Sequence, residues 1–366
     1  LDLCNRMFLC LGIWAIADIF IIPFFFSNIN ITNYLFQLFR LEVAILLFLY
    51  FPNIIRRLPP ELIINILKKI ILTHAIIQII YVISYYCGLN FFHYINTFEE
   101  RLSLISDNHL FTNHFIILNM ESGNPRFSGF FEEPAWFGWT ISLILSIVLQ
   151  ASLYFKNKFL NKKDWLLIIA SYTFTLSLSA MAQLITISCI YLFFLYKKHF
   201  LKLILFTIVL TGLILLYLII NPNIVDRLML LSEGGDGSTS SRLIGSWNAL
   251  VTTLHIQPWI GFGLGDTNSS LFLNYAETNN LHKGIFIGNL YIATIHNIIA
   301  QIICSLGLIG GLLFLTPFIT LFNKNSLIIA IAFILVFFSV NVYNTFFFFT
   351  MCSLSFYLFR EHRITI

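Results

Sequence analysis

The chain has 366 residues, of which 58% are hydrophobic, 17% aromatic and only 10% charged, with a formal net charge of +4 and a mean hydropathy of +0.85. A soluble domain of this size needs many more charges to cover its surface, so a soluble fold is excluded. Apolar runs of about 17–25 residues recur along the chain, and in lipid such runs are stable as helices that satisfy their own backbone hydrogen bonds.

The pattern predicts an all-α polytopic membrane protein of about ten transmembrane helices, forming a single membrane domain over 1–366. Spans are expected near 7–26, 34–51, 70–87, 136–155, 165–178, 183–196, 203–220, 296–322, 327–340 and 344–359. The fifth and sixth are short and turn around Leu178–Gln183. The abundant Phe residues suit lipid-facing and interfacial positions. The six cysteines lie in or beside apolar runs and never as CxxC, so neither a disulfide framework nor a metal site is expected. The chain begins at Leu1 rather than Met, and a further N-terminal piece is expected.

Orientation follows from Lys and Arg in short loops. Arg6, Arg56–Arg57, Lys68–Lys69, Lys156–Lys163, Lys197–Lys202, Lys324 and Arg360–Arg363 all fall on one side when the spans alternate. That side is read as cytoplasmic, with both termini on it. Two long segments, 88–135 and 221–295, then lie outside and carry most of the acidic residues. Loops of this length are functional or disordered, and these hold enough aromatic and apolar residues to fold. Within the second, Gly234–Ser241 reads as a mobile hinge.

Three constellations stand out in chain order. The first, Pro125–Pro134, places Arg126 a few residues before Glu132 and Glu133 at the start of a span. Pro134 suits the first helical turn, where its missing N–H costs nothing. The two carboxylates either complement the helix dipole or take part in chemistry. Arg126 is one of few basic residues on the outer side.

The second runs from Ser240 to His255. Leu243, Ile244, Trp247, Leu250, Val251 and Leu254 recur at helical spacing, which predicts an amphipathic helix near 241–257 lying on the membrane or on the bundle. Serines offer its N-cap, and Arg242 then stands in the first turn, against the helix dipole. A residue that breaks a local rule is a candidate for function. The Pro258–Asp266 run that follows has glycines spaced superficially like a phosphate loop, but no βαβ context surrounds it. A tight turn, with backbone close to a ligand or another loop, is the expectation.

The third is His296-Asn297 at a span start, followed by Gly307, Gly310 and Gly311. The helix dipole there disfavours protonation, and a neutral imidazole can accept a proton from a hydroxyl. The glycines suggest close helix packing. His93, His109, His114, His255 and His282 have no metal-ligand spacing and read as solvated.

Taken in order, RFSGFFEEPAWFG (126–138), SRLIGSWNAL with QPWIGFGLG (241–265) and HNIIAQIICSLGLIGG (296–311) resemble the O-antigen polymerase and O-antigen ligase superfamily. The resemblance implies a GT-C-like glycosyltransferase at the outer, periplasmic face of the bacterial inner membrane. It needs neither metal nor cofactor and acts on a polyprenyl-diphosphate-linked oligosaccharide. By the same resemblance Arg126 and Arg242 hold the donor diphosphate, and His296 acts at the acceptor. Glu132, Glu133 and Asn297 bind substrate or position a proton. The expected partners are the lipid-linked oligosaccharide, the bilayer and a chain-length regulator protein, with no nucleic acid. Where family members carry Ser-Arg in the short span pair, this chain has Ser179-Ala180-Met181, so that arginine's role does not transfer. The Gly-Phe-Phe-Glu-Glu-Pro form of the first motif favours a polymerase of repeat units, with a ligase joining polymer to lipid A core as the alternative. A transporter is the reading from a different class. It should place ionisable groups on several spans, yet only Asp18, Arg40 and Glu42 lie within spans, all in the first two.

Overall fold

The structure, a computed structural model, describes residues 3–25, 31–88, 127, 134–175, 177–196, 212, 244–264, 270–281, 286–287, 293–295, 297–323, 325–339 and 345–361. Helix dominates, as the apolar runs require. In chain order the helices are α1 (Leu3–Ile21), α2 (Ile31–Ile55), α3 (Pro60–Tyr86), α4 (Pro134–Tyr154), α5 (Lys162–Phe174), α6 (Leu178–Tyr196), α7 (Ser246–Ile256), α8 (Ser270–Thr278), α9 (Ile298–Ile319), α10 (Leu327–Ser339) and α11 (Phe346–Phe356). A short antiparallel ribbon pairs β1 (Phe286–Ile287) with β2 (Ala293–Thr294).

Six helices among the described residues are long and apolar enough to cross a membrane: Leu3–Phe24, Ile31–Ile55, Pro60–Tyr86, Ala135–Tyr154, Ser179–Tyr196 and Ile298–Ile319. This is the build of a polytopic membrane protein. The expected spans near 165–178, 327–340 and 344–359 appear as shorter helices of 13, 13 and 11 residues. The expected span at 203–220 lies outside the described residues except for Gly212.

The turn between α5 and α6 comes earlier than Leu178–Gln183. Thr175 Oγ1 accepts from Ser177 N–H at 3.2 Å, and Ser177 Oγ accepts from Ala180 N–H at 3.4 Å. These two hydroxyls cap the start of α6, which is therefore 19 residues long. Its first turn reads as polar in the sequence because Ser179, Ala180 and Gln183 are small or polar. Gly138 of α4 sits against Ala180 so closely that a Cβ there would lie 2.3 Å from the alanine Cβ. Small residues on both helices permit that approach.

The chain divides into two compact units, residues Leu1–Leu58 with Arg227–Ile366, and Pro59–Asp226. In the second unit α4 is enclosed by α3 and α6, and its polar residues Thr140, Ser142, Ser146, Gln150 and Ser152 are all buried. Tyr172 knits α5 to α4: its hydroxyl lies 2.9 Å from Ser142 Oγ and donates to Gly138 O at 3.0 Å. Lys68 Nζ donates to Phe159 O and pairs with Asp164 Oδ2, both at 2.8 Å. This ties α3 to the connection between α4 and α5 and to the first turn of α5.

In the first unit α1 packs on α9, and α11 on α2. The abundant Phe residues do more here than face lipid. Phe8, Phe48, Phe314, Phe318, Phe333, Phe337, Phe348 and Phe349 are buried and stack mostly edge to face, with centroids as close as 4.5 Å for Phe8 and Phe48. Between helices already in hydrocarbon, packing and ring geometry supply the cohesion that water exclusion supplies elsewhere.

Candidate functional site

The second and third motifs meet in the first unit. Helix α7 stands where an amphipathic helix is expected on the membrane or on the bundle, and its small face is the buried one. Ser246, Ala249, Thr252 and Thr253 are buried, while Ile244, Trp247 and Leu254 are exposed. The small, partly polar face lies on α9, with Leu250 and Ile256 packed at the edge of the buried cluster and Trp247 and Leu254 exposed. Gly245, in helical backbone, precedes the helix without a side-chain cap. Ser240, Ser241 and Arg242 lie outside the described residues.

The Pro258–Gly263 stretch after α7 docks into a break in α9. Gly307 has φ +67° and ψ −173°, a conformation open only to glycine and incompatible with helix. The break would strand polar backbone groups inside an apolar helix, which hydrocarbon does not tolerate. Each finds a partner from outside the helix. Cys304 O accepts from Phe262 N–H at 2.8 Å and Ser305 O from Gly263 N–H at 2.9 Å. Leu306 O accepts from the Trp14 indole at 3.0 Å, and Leu308 N–H donates to Pro258 O at 2.8 Å. A Cβ on Gly307 would fall 2.0 Å from Trp259 O. Gly310 and Gly311 leave room for Leu306 and Ile303 of the same helix, displaced by the break. The expectation of close packing by these three glycines against another helix is thus corrected. Gly307 breaks its helix to receive a loop, and the glycine run before Asp266 is the matching plug rather than a phosphate loop.

The plug also sets the direction of α7. Thr253 Oγ1 donates to Cys304 Sγ at 3.0 Å, and Pro258 pairs with Leu308 four residues further along α9. Ala249 shares a buried cluster with Ile295, Ala300 and Cys304. The two helices therefore run side by side in the same direction. At 1.5 Å per residue, both begin roughly 9–11 Å back from the Thr253–Cys304 pair, so their N-termini lie nearly level. Arg242 precedes one start in sequence and His296 the other.

Asn297 caps α9. Its Oδ1 accepts from Ile299 N–H at 2.9 Å and from Ala300 N–H at 3.1 Å, and the residue is buried. With the oxygen committed to the helix, any substrate contact falls to the amide nitrogen. The residue was expected at a site, and its capping role was legible from its place before the apolar run. His255 is exposed and stacks on Tyr275 of α8 with centroids 6.0 Å apart.

In the second unit the first motif is fixed at Phe127. Its carbonyl accepts from Gln78 Nε2 at 2.8 Å, and its N–H donates to Phe174 O at 3.3 Å. Its ring packs with Tyr81, Tyr85 and Tyr86 at 5.5–6.4 Å. Sequence reasoning missed Gln78, although a glutamine within an apolar helix was a visible signal. Arg126, Glu132, Glu133 and His296 lie outside the described residues, as do Gly234–Ser241, His93, His109, His114 and His282.

Residues 165–315 match the family model described as O-antigen ligase. That stretch holds the second and third motifs, the plug and the break in α9, and it establishes the superfamily resemblance carried by the motifs. It covers less than half of the chain, with the first motif N-terminal to it. Comparison with curated proteins and with solved structures finds no match.

Proposed function

With residues 165–315 like an O-antigen ligase, we propose that the chain is a glycosyltransferase of surface-polysaccharide assembly that polymerises lipid-linked repeat units. It works as one membrane domain with its loops 88–135 and 221–295 at the periplasmic face of the inner membrane. A hydroxyl of one polyprenyl-diphosphate-linked oligosaccharide attacks the anomeric carbon of the glycan on another. The bond to the carrier diphosphate breaks, and that diphosphate leaves with the bonding electrons.

The observation that carries this reading is the parallel pair of helix starts, α7 after Arg242 and α9 after His296. Helix N-termini favour anions through their dipoles and unpaired N–H groups. Arg242, and Arg126 in the first motif, supply planar guanidinium forks suited to phosphate oxygens. Fixed positive charge of this kind acts where the leaving diphosphate gains negative charge, which is where preorganised electrostatics help most. His296, kept neutral by the helix start, takes the proton of the attacking hydroxyl. Asn297 anchors the same start, and Glu132 and Glu133 orient the acceptor hydroxyl at the start of α4. A chain-length regulator is the expected protein partner.

The alternative within the same family is a ligase, in which the acceptor is lipid A core rather than a second repeat unit. Deleting the chain and running lipopolysaccharide on a gel separates the two. A polymerase deletion leaves surface glycan bearing a single repeat unit. A ligase deletion leaves bare core, with polymer on the carrier lipid. Unchanged chain length and attachment would contradict both.

A further inference from the structure

We infer that α7 and the plug after it form a re-entrant hairpin, dipping to mid-bilayer from the side where α9 begins, with the outer stripe of α7 against lipid acyl chains. The depth comes from two spans that register on each other. Leu3–Phe24 and Ile298–Ile319 are each 22 residues long, about 33 Å of helix against a hydrocarbon core of about 30 Å. They run antiparallel. Cys4 Sγ lies 3.5 Å from Thr320 Oγ1 and 3.9 Å from Pro317 O, and further along α1 Trp14 donates to Leu306 O at 3.0 Å. Trp14 is midway along its span, and Leu306 and Gly307 are close to midway along theirs. The break in α9 thus falls at mid-membrane, and the plug that fills it lies at the same depth.

Helix α7 reaches that depth beside the first half of α9. Thr253, bonded to Cys304, stands about 4–5 Å from the level of the break, and Ser246 about 10 Å further out, at the edge of the hydrocarbon. Trp247 then sits at the interface, where indole rings are favoured, and Leu254 within the apolar core. Both are exposed, as is Trp259 at the turn. The sequence agrees. Between Arg242 and Asp266 there is no Asp, Glu, Lys or Arg, an exclusion that hydrocarbon demands and water does not.

The backbone after α7 is also satisfied in the way that hydrocarbon requires. Gln257 N–H donates to Thr253 O, Gly261 N–H to Gln257 O, and the N–H groups of Phe262 and Gly263 to α9. Pro258 has no N–H to satisfy. Non-helical backbone is tolerated at membrane depth only where it is paired and packed in this manner. One flank of the hairpin is polar. There His255 stacks on Tyr275 of α8, a helix on which Asn274 and Glu277 are exposed. The lipid contact is therefore confined to the stripe of Trp247 and Leu254.

The test is spin-label relaxation on the full chain in proteoliposomes, with Cys10, Cys87 and Cys189 replaced by serine. One nitroxide is attached in turn through Ile244→Cys, Trp247→Cys or Leu254→Cys, and collisions with oxygen and with a water-soluble nickel chelate are compared. The label at 244 is expected to meet the chelate freely, and the label at 247 to read near the headgroups. The label at 254 is expected to read about 10 Å deeper than the one at 247, as the helical rise between them requires. Equal depths at 247 and 254, the mark of a helix lying flat on the surface, overturn the hairpin. Free access of the chelate to 254 overturns it too, and few collisions with either reagent at 254 overturn the lipid contact. Where the label at 254 lowers insertion, Leu254→Lys and Leu254→Met are compared by membrane abundance. Lysine is expected to lower it at least about tenfold relative to methionine, since charge at that depth is costly. Equal abundance of the two overturns the inference.

Discussion

Two stretches of sequence drew attention for the same reason, unusual residues in a long loop between helices, and they are held in different ways. The Pro258–Gly263 plug is stitched to α9 through successive backbone groups, and the break it fills leaves Cys304 O, Ser305 O, Leu306 O and Leu308 N–H all paired. The first motif is gripped at one described residue, Phe127. The difference separates structure from chemistry. The plug's N–H groups at Phe262 and Gly263 and its carbonyl at Pro258 are committed to the break they fill, whereas Phe127 stands next in sequence to Arg126, the residue proposed to hold the diphosphate.

Substitutions in the plug should therefore lower the amount of inserted protein and leave the specific activity of the surviving fraction near normal. Substitutions at the Phe127 anchor should do the reverse. Gly307→Ala is the severest case. It forces a non-glycine residue into a glycine-only conformation and drives a Cβ against Trp259 O. Backbone strain and overpacking together predict a loss of about 2–6 kcal/mol. Quantitative blotting of membranes, with a thermal-aggregation curve in detergent, reads this directly. Wild-type abundance and melting would mean that the break does not need its plug. Trp14→Phe removes one donor, to Leu306 O, and leaves a smaller aromatic ring in its place. The expected loss is about 0.5–1.5 kcal/mol in the same melting assay, with specific activity unchanged. A larger fall in activity than in stability would place Trp14 among the functional residues and blur the comparison.

Much of the helical plan was legible because hydrocarbon demands long apolar runs and leaves few alternatives. The starts of α4 at Pro134 and α9 after Asn297 fell where proline and a capping side chain predict them. The break at Gly307 was not legible. The run from Ile298 to Leu315 is interrupted only by Gln301, Ser305 and glycines that a helix tolerates, and its partner lies some 45 residues upstream, beyond the reach of local periodicity. The facing of α7 was left open in the sequence, between the membrane and the bundle, for a related reason. In water the large apolar side chains would turn inward, but beside lipid the small face of Ser246, Ala249, Thr252 and Thr253 makes the closer helix contact. Motif order pointed to the 241–265 and 296–311 segments, which lie within the stretch that matches the O-antigen ligase family model. Gln78 was visible as a glutamine in an apolar helix, but its partner, a carbonyl 49 residues away, was not.

The central claim is that the paired starts of α7 and α9 carry glycosyl transfer from a lipid diphosphate, with His296 as the base. Its most direct test is the purified protein in proteoliposomes with polyprenyl-diphosphate-linked oligosaccharide alone. Free polyprenyl diphosphate and lipid-linked products of two or more repeat units are followed against pH. The wild type is expected to release carrier diphosphate in step with chain growth and to slow on acidification, as the imidazole takes up a proton before it can serve as base. His296→Gln, inserted at normal abundance, is expected to lose at least about 10²-fold in rate, with no acid limb in what remains. A near-normal rate for His296→Gln would contradict the general-base assignment. Oligosaccharide that crosses the bilayer or stays bound with no bond made or broken would contradict the account as a whole.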